Sequence, residues 1–340
     1  MSALTPATAG CSQPPWFPRS LLADHALAQT LLKSKCCART DDWVQRFLSI
    51  VDTHIPATSE RLKVAVLDTG IDANHPDFAG DGRLRDSRSW VNSAAHVDRN
   101  GHGTHVVSTL LWLTQNVDVY VAKIAEESTI ETADQVAEAI HVASEEWDVD
   151  LIAVPFGLPR GFRKIREEID KAIYRRKIVF AAASDNGAHT GRAYPASQDG
   201  VICVHSADGF GNASPFNPTA LHAAENFCFV GESLEAAWPS STPNDLGGTR
   251  RMTGTAFATP VAVAVAALMI GFVSDNMPEH VNWDIPLRSP AGIRAIFRAL
   301  SEQRNGQYDL VNPVRAFGGG TKAEQEKVLM DIRASLDFGA

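Results

Sequence analysis

The sequence predicts an α/β fold in which a largely parallel sheet is covered by helices on both faces. Two observations support this prediction. After residue 61, short apolar runs alternate with longer segments whose apolar residues recur at helical spacing. The chain of 340 residues, with 44% apolar and 21% charged residues, is also long and apolar enough to bury a large core. In such a sheet the ligand cleft lies beyond the carboxyl ends of the strands.

Residues 1–60 differ in composition from the rest and are predicted to form an N-terminal tail and helical segment. A tail rich in Pro, Ser and Ala is followed by two helical patterns, around residues 21–32 and 41–51. The second pattern places several large apolar residues on one face, namely Trp43, Phe47, Leu48 and Val51.

Residues 61–318 are predicted to form the main domain. The strand patterns lie at residues 62–68, 117–124, 150–156, 178–184 and 201–207. The helix patterns lie at residues 132–147, 161–177, 256–273 and 290–300. A polar helix pattern at 321–336 then predicts a C-terminal helical extension over residues 319–340.

Charge and hydropathy argue against several classes of protein. A net charge of -9 disfavours a nucleic acid or an anionic membrane surface as the main partner. The N-terminal residues lack a basic stretch followed by an apolar run, so no secretory signal is predicted. The longest apolar run, 256–273, contains Thr259, Pro260 and Gly271 and fits a buried core helix better than a membrane span. We therefore expect an intracellular, cytoplasmic protein without a nucleic-acid or membrane partner.

The five cysteines are an odd number, and none forms a CxxC pair. Free thiols in a reducing compartment are the favoured interpretation, while a disulfide framework or a zinc site is disfavoured. A single disulfide between Cys203 and Cys228 remains an alternative.

Two polar residues lie where chemistry is expected. Asp68 ends the first strand pattern in "VAVLDTGID", where its carboxylate can point into the cleft, although Asp-Thr-Gly is also common in ordinary loops. His102 lies between glycines in "NGHGTHV", at the entrance of a helix expected to begin near Thr104, which suits a general base. It is alternatively a loop histidine. A metal site formed with His105 is disfavoured, because the spacing and the Glu of the helical zinc motif are missing.

A third stretch, "GTAFATP", is a Gly-Thr turn that runs into the long apolar helix. Together with "VAVLDTGID" and "NGHGTHV", in that order, it resembles the subtilisin-like serine proteases, the subtilases of peptidase family S8. The resemblance spans roughly residues 63–268. It implies a subtilisin-like three-layer sandwich. The stretches "SWVNSAAHVDRNGHGTHV" and "FNPTALHAAENFCFVGESLEAAWP" look most like intracellular subtilase domains of filamentous fungi.

The resemblance implies roles for three positions. In the family a serine attacks the scissile carbonyl, the histidine (here His102) takes its proton, and the aspartate (here Asp68) orients the imidazole. Ala256 occupies the nucleophile position, and its methyl group cannot attack a carbonyl. The chain as written is therefore expected to be inactive as a peptidase.

The oxyanion position departs from the family pattern. Members of the family commonly have an Asn there whose amide donates to the developing oxyanion, whereas this chain has Asp185 in "AAASDNG". An ionised carboxylate cannot donate and repels the oxyanion, but a protonated one can donate. A one-residue shift that brings Asn186 into the position is another alternative, as is a loop Asp185 that faces water.

The resemblance also implies a substrate-binding edge at Pro155, Phe156 and Gly157, where an extended peptide adds as a strand. Proline at 155 departs from the usual serine and removes an N–H, although the family uses mainly the carbonyl there. Ala193 would form the floor of the pocket for the residue before the scissile bond. Calcium stabilises many relatives, but no ligand cluster is evident, so neither a cofactor nor a metal is predicted.

The sequence thus predicts a subtilisin-like serine endopeptidase domain that lacks its nucleophile. The expected partner is a peptide or protein substrate in an extended conformation. Two histories are consistent with Ala256: an engineered replacement of serine, or a natural pseudoprotease that acts as a peptide-binding or regulatory module.

Overall fold

The computed structural model describes residues 19–55, 61–127, 130–222, 224–239, 247–277, 286–304, 307–318 and 321–337. Its strands are β1 (Leu62–Asp68), β2 (Leu84–Ser89), β3 (Val117–Lys123), β4 (Leu151–Val154), β5 (Ile178–Ala182), β6 (Ile202–Ala207), β7 (Phe227–Val230), β8 (Leu234–Trp238), β9 (Gly248–Met252), β10 (Ser301–Arg304) and β11 (Tyr308–Val311). Its helices are α1 (Arg19–His54), α2 (His102–Leu113), α3 (Ala133–Glu145), α4 (Arg163–Tyr174), α5 (Thr255–Asn276), α6 (Pro290–Ala299), α7 (Pro313–Ala316) and α8 (Lys322–Asp337).

Nine of these strands form one sheet in the order β10-β11-β7-β6-β5-β4-β1-β3-β2. Every neighbouring pair is parallel except the antiparallel pair β10 and β11. Strands β8 and β9 form a separate antiparallel hairpin. The chain order jumps between neighbours beside β1, so the carboxyl ends of β1, β3 and β4 border the crevice where an open α/β sheet binds its ligand.

Side chains of β1 show how the sheet divides the core. Val64 and Val66 pack with α2 and α5 on one face, whereas Ala65 and Leu67 pack with α3 and α4 on the other. This alternation follows from the period of two residues along a strand. Since both faces are buried, the predicted three-layer α/β architecture is confirmed.

Helix α5 lies in the middle of the larger core. Its composition and length also fit a membrane span, but 89% of its most apolar window is buried inside the protein. Its neighbours are strands β4 to β7 and helix α2. The prediction of a core helix for this segment is therefore the one that its surroundings support.

The N-terminal segment forms one continuous helix, α1, where the sequence pattern predicted two. Trp43, Phe47 and Val51 pack into the same core as α2 and α5, so this part of α1 shares the core of the main domain. The C-terminal helix predicted at 321–336 is α8, and it packs against α6 and α7. Cys203 and Cys228 are buried free thiols, which contradicts the alternative of a disulfide between them.

Candidate active site

The side chains of Asp68 and His102 are in direct contact. Asp68 is the last residue of β1, and His102 is the first residue of α2. Nδ1 of His102 lies 2.8 Å from Oδ1 and 2.9 Å from Oδ2 of Asp68. The Asp68 side chain is 3% exposed, while the His102 side chain is 26% exposed. When Nδ1 carries the proton and its N–H donates a hydrogen bond to the carboxylate, Nε2 is left to accept a proton from another group.

The electrostatic environment favours the charged form of His102. Desolvation of the ring opposes its protonation, but attraction and hydrogen bonding from Asp68 outweigh this effect, with smaller contributions from Asp98 and Asp185. The net result is a raised pKa for His102. A base with this bias accepts a proton readily and is stabilised as imidazolium.

Two glycines allow α2 to begin at this point, two residues earlier than Thr104, where the sequence pattern placed it. Gly101 has a φ of 92°, and a Cβ there would lie 2.5 Å from the Trp238 ring. A Cβ on Gly103 would lie 2.2 Å from the carbonyl oxygen of Gly70, just beyond β1. The close approach of α2 to the end of β1 therefore requires a residue without a side chain at position 103, while the positive φ and the Trp238 ring require one at position 101.

Ala256 is the second residue of α5 and is half-buried. The ring of the next residue, Phe257, lies 5.0 Å from the His102 ring and 4.8 Å from the His105 ring, measured between centroids. This packing places the start of α5 beside His102. Among the described residues, the backbone N–H of Ala256 has no hydrogen-bond acceptor. It is thus available to a ligand, as helix N-terminal amides commonly are.

Asp185 also reaches the start of α5. Oδ1 of Asp185 accepts a hydrogen bond of 2.8 Å from the Thr255 N–H, and a Cβ on Gly254 would lie 2.6 Å from Oδ2. Ser184 turns the chain here with a φ of 134°, a conformation that side chains rarely adopt. Desolvation raises the pKa of the Asp185 carboxyl, and hydrogen bonds from Thr255 counteract the shift only in part. Asp185 is nevertheless an exposed residue, and contact with water weakens the desolvation.

The neighbouring residue, Asn186, lies at an exposed position. Within the described part of the chain, its side chain makes no hydrogen bond to the start of α5. Of the two residues, Asp185 is the one whose side chain contacts the first turn of α5. Asp185 is itself an exposed residue, so its contact with Thr255 does not remove it from water, and its role at an oxyanion stays a prediction.

The predicted substrate-binding residues lie together on the same side of the sheet. Pro155, Phe156 and Gly157 follow the end of β4, and a Cβ on Gly157 would lie 2.5 Å from the Cβ of Ala193. The N–H of Ala193 donates to the carbonyl of Ala183, which leads to Asp185. No backbone hydrogen bond to Phe156 or Gly157 occurs among the described residues, so this segment is free to pair with an extended chain.

His105 does not share a binding site with His102. Its Nε2 lies 3.1 Å from the carbonyl oxygen of Leu234 and 3.0 Å from that of Arg250, and it links β8 to β9. Burial lowers the pKa of His105 to about 4, so the ring is neutral at pH 7. Among the described residues, no group of three or more His, Cys, Asp or Glu side chains is arranged to hold a metal ion.

Sequence patterns did not indicate three residues that surround His102. Asp98, Phe257 and Trp238 come from a loop, a helix and a hairpin that lie far apart in the chain. The loop that contains Asp98 has the composition of an ordinary turn. Only Trp238 has a sequence signal of its own, since a large aromatic ring at the end of a short strand usually packs against another element.

Comparison with known proteins gives consistent matches. The model of the Subtilase family (Peptidase_S8) matches residues 59–301. Subtilisin DY from Bacillus licheniformis is 30% identical over 222 residues, which cover 62% of this chain and 76% of that protein. Subtilisin NAT from Bacillus subtilis subsp. natto is 27% identical over 239 residues, and the match spans 58% of its length. The subtilisin-like protease het-Q2 from Podospora anserina is 26% identical over 306 residues, which cover 73% of this chain and 81% of that protein.

Solved structures show the same fold. The prenylagaramide maturation protease PagA superposes with a TM-score of 0.60 at 20% identity, covering 86% of this chain and 98% of that chain. A cold-adapted subtilisin-like serine proteinase superposes with a TM-score of 0.56 at 21% identity, covering 73% of this chain and 87% of that chain. With the family model matching residues 59–301, the fold and the sequence lead to one conclusion: the chain belongs to the subtilase family of serine peptidases.

Proposed function

We propose that this chain is a subtilisin-like serine endopeptidase domain in which Ala256 replaces the nucleophilic serine, so that its cleft still binds extended peptides but does not hydrolyse them. In this proposal Asp68 orients His102, and His102 is the general base. The observation that carries the proposal is the direct contact of Asp68 with His102 beside the first turn of α5, the helix that contains Ala256.

The arrangement supports acyl transfer chemistry once an oxygen nucleophile is present. A serine hydroxyl at position 256 would attack the scissile carbonyl carbon while His102 Nε2 takes its proton. The tetrahedral oxygen would then accept a hydrogen bond from the N–H of residue 256. His102 would next protonate the leaving amine, and Asp68 would stabilise the imidazolium between these two steps.

The loss expected from alanine at this position is very large. In subtilisin, removal of the catalytic serine lowers kcat by about 2 × 10⁶, and we apply that factor to this chain. This factor corresponds to roughly 8 to 9 kcal/mol of transition-state stabilisation. The methyl group of Ala256 cannot compensate for any of it. We therefore expect activity no higher than the background that the remaining site supports.

The peptide-binding part of the proposal depends on the edge at Phe156 and Gly157. A peptide that pairs with this edge would lie alongside the pocket whose floor is Ala193. Gly157 and Ala193 are already in contact, since a Cβ on Gly157 would lie 2.5 Å from that of Ala193. Because both residues are small, we expect a side chain of the bound peptide to lie over them. The class of ligand is therefore an extended segment of a peptide or an unfolded part of a protein.

A second candidate is a natural pseudoprotease that acts as a binding or regulatory module. Its support comes from Asp185 and Pro155, two departures that an engineered change at position 256 would not explain. The 306-residue match to the Podospora anserina protein supports a relationship to fungal subtilases. An intracellular location for this chain stays a prediction.

Two measurements on the purified chain test the proposal. Fluorescence anisotropy with labelled random peptides should detect saturable binding that an excess of unlabelled peptide reverses. A serine-directed fluorophosphonate probe should not label the chain, whereas it should label the matched variant Ala256→Ser. Labelling of the chain as written would reveal another nucleophilic serine and would contradict the proposal. If the folded protein does not bind peptides, the peptide-binding part of the proposal is wrong.

A further inference from the structure

We propose that Asp98 is a positioning residue whose buried carboxylate joins the end of β1 to the first turn of α2 and so holds His102 against Asp68. It deepens the proposed function, since it concerns the same site. It does not require that the chain bind peptides or hydrolyse them.

The carboxylate of Asp98 is 4% exposed, and five donors converge on it. Its Oδ1 accepts from the N–H groups of Asn100 (3.1 Å) and Gly101 (2.9 Å) and from the hydroxyl of Thr69 (2.9 Å). Its Oδ2 accepts from the N–H of Thr104 (2.9 Å) and from the Thr104 hydroxyl (2.7 Å). A buried carboxylate needs hydrogen-bond donors to offset its desolvation, and Asp98 has donors on both of its oxygens.

These donors belong to the residues on both sides of His102. The residue at the N-cap of α2 is Gly101, which has no side chain to cap the helix. Asp98 takes over this function from three residues further upstream, because it binds the N–H groups of Gly101 and Thr104. A carboxylate at the N-terminus of α2 also interacts favourably with the positive end of the helix dipole. The helix turn that contains His102 is thereby fixed to one carboxylate.

Thr69 extends the same network to Asp68. Its N–H donates to Oδ1 of Asp68 at 2.7 Å, and its hydroxyl donates to Asp98. The same hydroxyl accepts from the N–H of Gly103, the residue after His102, at 3.0 Å. Thr69 therefore contacts Asp68, Asp98 and Gly103, the residue that follows His102. This arrangement explains how Asp98 can fix the distance between Asp68 and His102 without contact with either of them.

The loop before Asp98 is held from the opposite side by a buried lysine. Lys123, the last residue of β3, is fully buried and donates from Nζ to the carbonyl of Val97 at 2.6 Å. It also pairs with Glu126 at 3.2 Å. Since β3 is the direct neighbour of β1 in the sheet, the loop and Asp68 have a common rigid support. The residue before Asp98 is thus tied directly to the sheet through Lys123.

The test measures the state of His102 in the chain as written, by NMR titration of its imidazole nitrogens, with His102→Gln for assignment. The titratable groups facing His102 are Asp68, Asp98, Asp185 and His105. Asp98→Asn should lower the pKa of His102, because a charge is lost and the contact with Asp68 loosens. The matched control Asp134→Asn, at an exposed ion pair with Lys164, should leave it unchanged.

Two variants of Thr69 separate positioning from simple loss of charge. Thr69→Val removes the hydroxyl and keeps the shape and all charges, so a lower pKa of His102 would come from altered geometry. Thr69→Ser keeps the hydroxyl and should restore the parent pKa. If Thr69→Val leaves His102 unchanged, the proposal is overturned. This pair also decides the question if Asp98→Asn does not fold, which circular dichroism would detect.

Kinetics in the Ala256→Ser background give a second readout. Asp98 does not line the cleft, so Asp98→Asn should lower kcat, by up to about 10²-fold for a displaced base, and leave KM unchanged. A raised KM with unchanged kcat would overturn the proposal. If Ala256→Ser is too weak to measure, the same comparison is made with Ala256→Ser and Asp185→Asn together. Inactivity of that folded double variant would count against the proposed function, whereas the NMR titration would still decide the role of Asp98.

Discussion

Restoring the nucleophile tests the proposed function most directly. The structure predicts that Ala256→Ser alone gives only weak peptide hydrolysis. Ala256→Ser adds one hydroxyl at a half-buried position beside His102, so folding should tolerate it. The restored serine would find its base in place. The oxyanion would find the N–H of residue 256, but the second donor position holds the Asp185 carboxylate.

The expected size of the second effect follows from the contacts of Asp185. Its Oδ1 already accepts from Thr255, and an ionised Oδ2 next to it would repel a developing oxyanion. Asp185→Asn keeps an oxygen acceptor for Thr255 and adds an N–H₂ donor of the same size. In subtilisin itself, loss of one oxyanion donor costs about 10² to 10³ in kcat. We expect Ala256→Ser with Asp185→Asn to exceed Ala256→Ser alone by about this factor.

The pH profile of peptide hydrolysis distinguishes the two states of Asp185. His102 must be neutral to accept a proton, so activity should rise with pH through its raised pKa in both variants. If a protonated Asp185 is the donor, the single variant should also lose activity as pH rises through the raised pKa of Asp185. The double variant should lack this decline, because asparagine does not titrate.

The assay is hydrolysis of fluorogenic peptides by both variants from acidic to alkaline pH, with Asn186→Ala in the Ala256→Ser background as a control. Asn186 is exposed, so its removal should change nothing. Equal rates of the single and double variants at every pH would refute the argument that Asp185 limits the oxyanion site. Inactivity of both folded variants would mean that the cleft no longer supports peptidase chemistry.

Three further predictions concern binding and stability. Gly157→Ala should weaken the binding of peptides with a large side chain in the pocket, measured by anisotropy, because the new Cβ would lie 2.5 Å from that of Ala193; equal binding would contradict the assignment of the pocket. Gly101→Ala should destabilise the fold by more than about 1 kcal/mol in urea unfolding, since its φ is 92° and Trp238 fills the space; an unchanged midpoint would disprove this. Burial lowers the pKa of His205 to about 3 in the folded state, whereas the unfolded state keeps a pKa of about 6.5. Between these pH values only the unfolded state binds a proton at His205, so the free energy of unfolding decreases as pH falls from about 6.5 towards 3. In His205→Gln the dependence of unfolding free energy on pH should therefore be shallower, by at most about 1.4 kcal/mol per pH unit.

The sequence by itself predicted most of the parallel sheet and the family. Strands such as β1 and β5 are continuous apolar runs, and their bounds agree with the patterns to within two residues. The strands that the patterns missed fall into two kinds. β2 is a mostly exposed polar edge strand and β9 is an exposed strand of a hairpin, so neither has an apolar face to produce a signal. β7 is fully buried but has only four residues, which is too short for a periodic pattern. Helix α1 was divided in two because the polar residues between its apolar segments break the pattern without breaking the helix.

The motifs also predicted the positions of the acid, the base and the missing nucleophile at Ala256. Only the tertiary structure shows which side chains contact these positions. In the structure Asp185, and not Asn186, accepts a hydrogen bond from the Thr255 N–H. Asp98 accepts hydrogen bonds from five donors, which the spacing of residues in the sequence does not predict. Periodicity and motifs in the sequence predict local backbone conformation and burial, because these properties depend mainly on residues that are close together in the chain. The state of a buried carboxylate depends on donors from segments far apart in sequence, and these meet only when the sheet has formed.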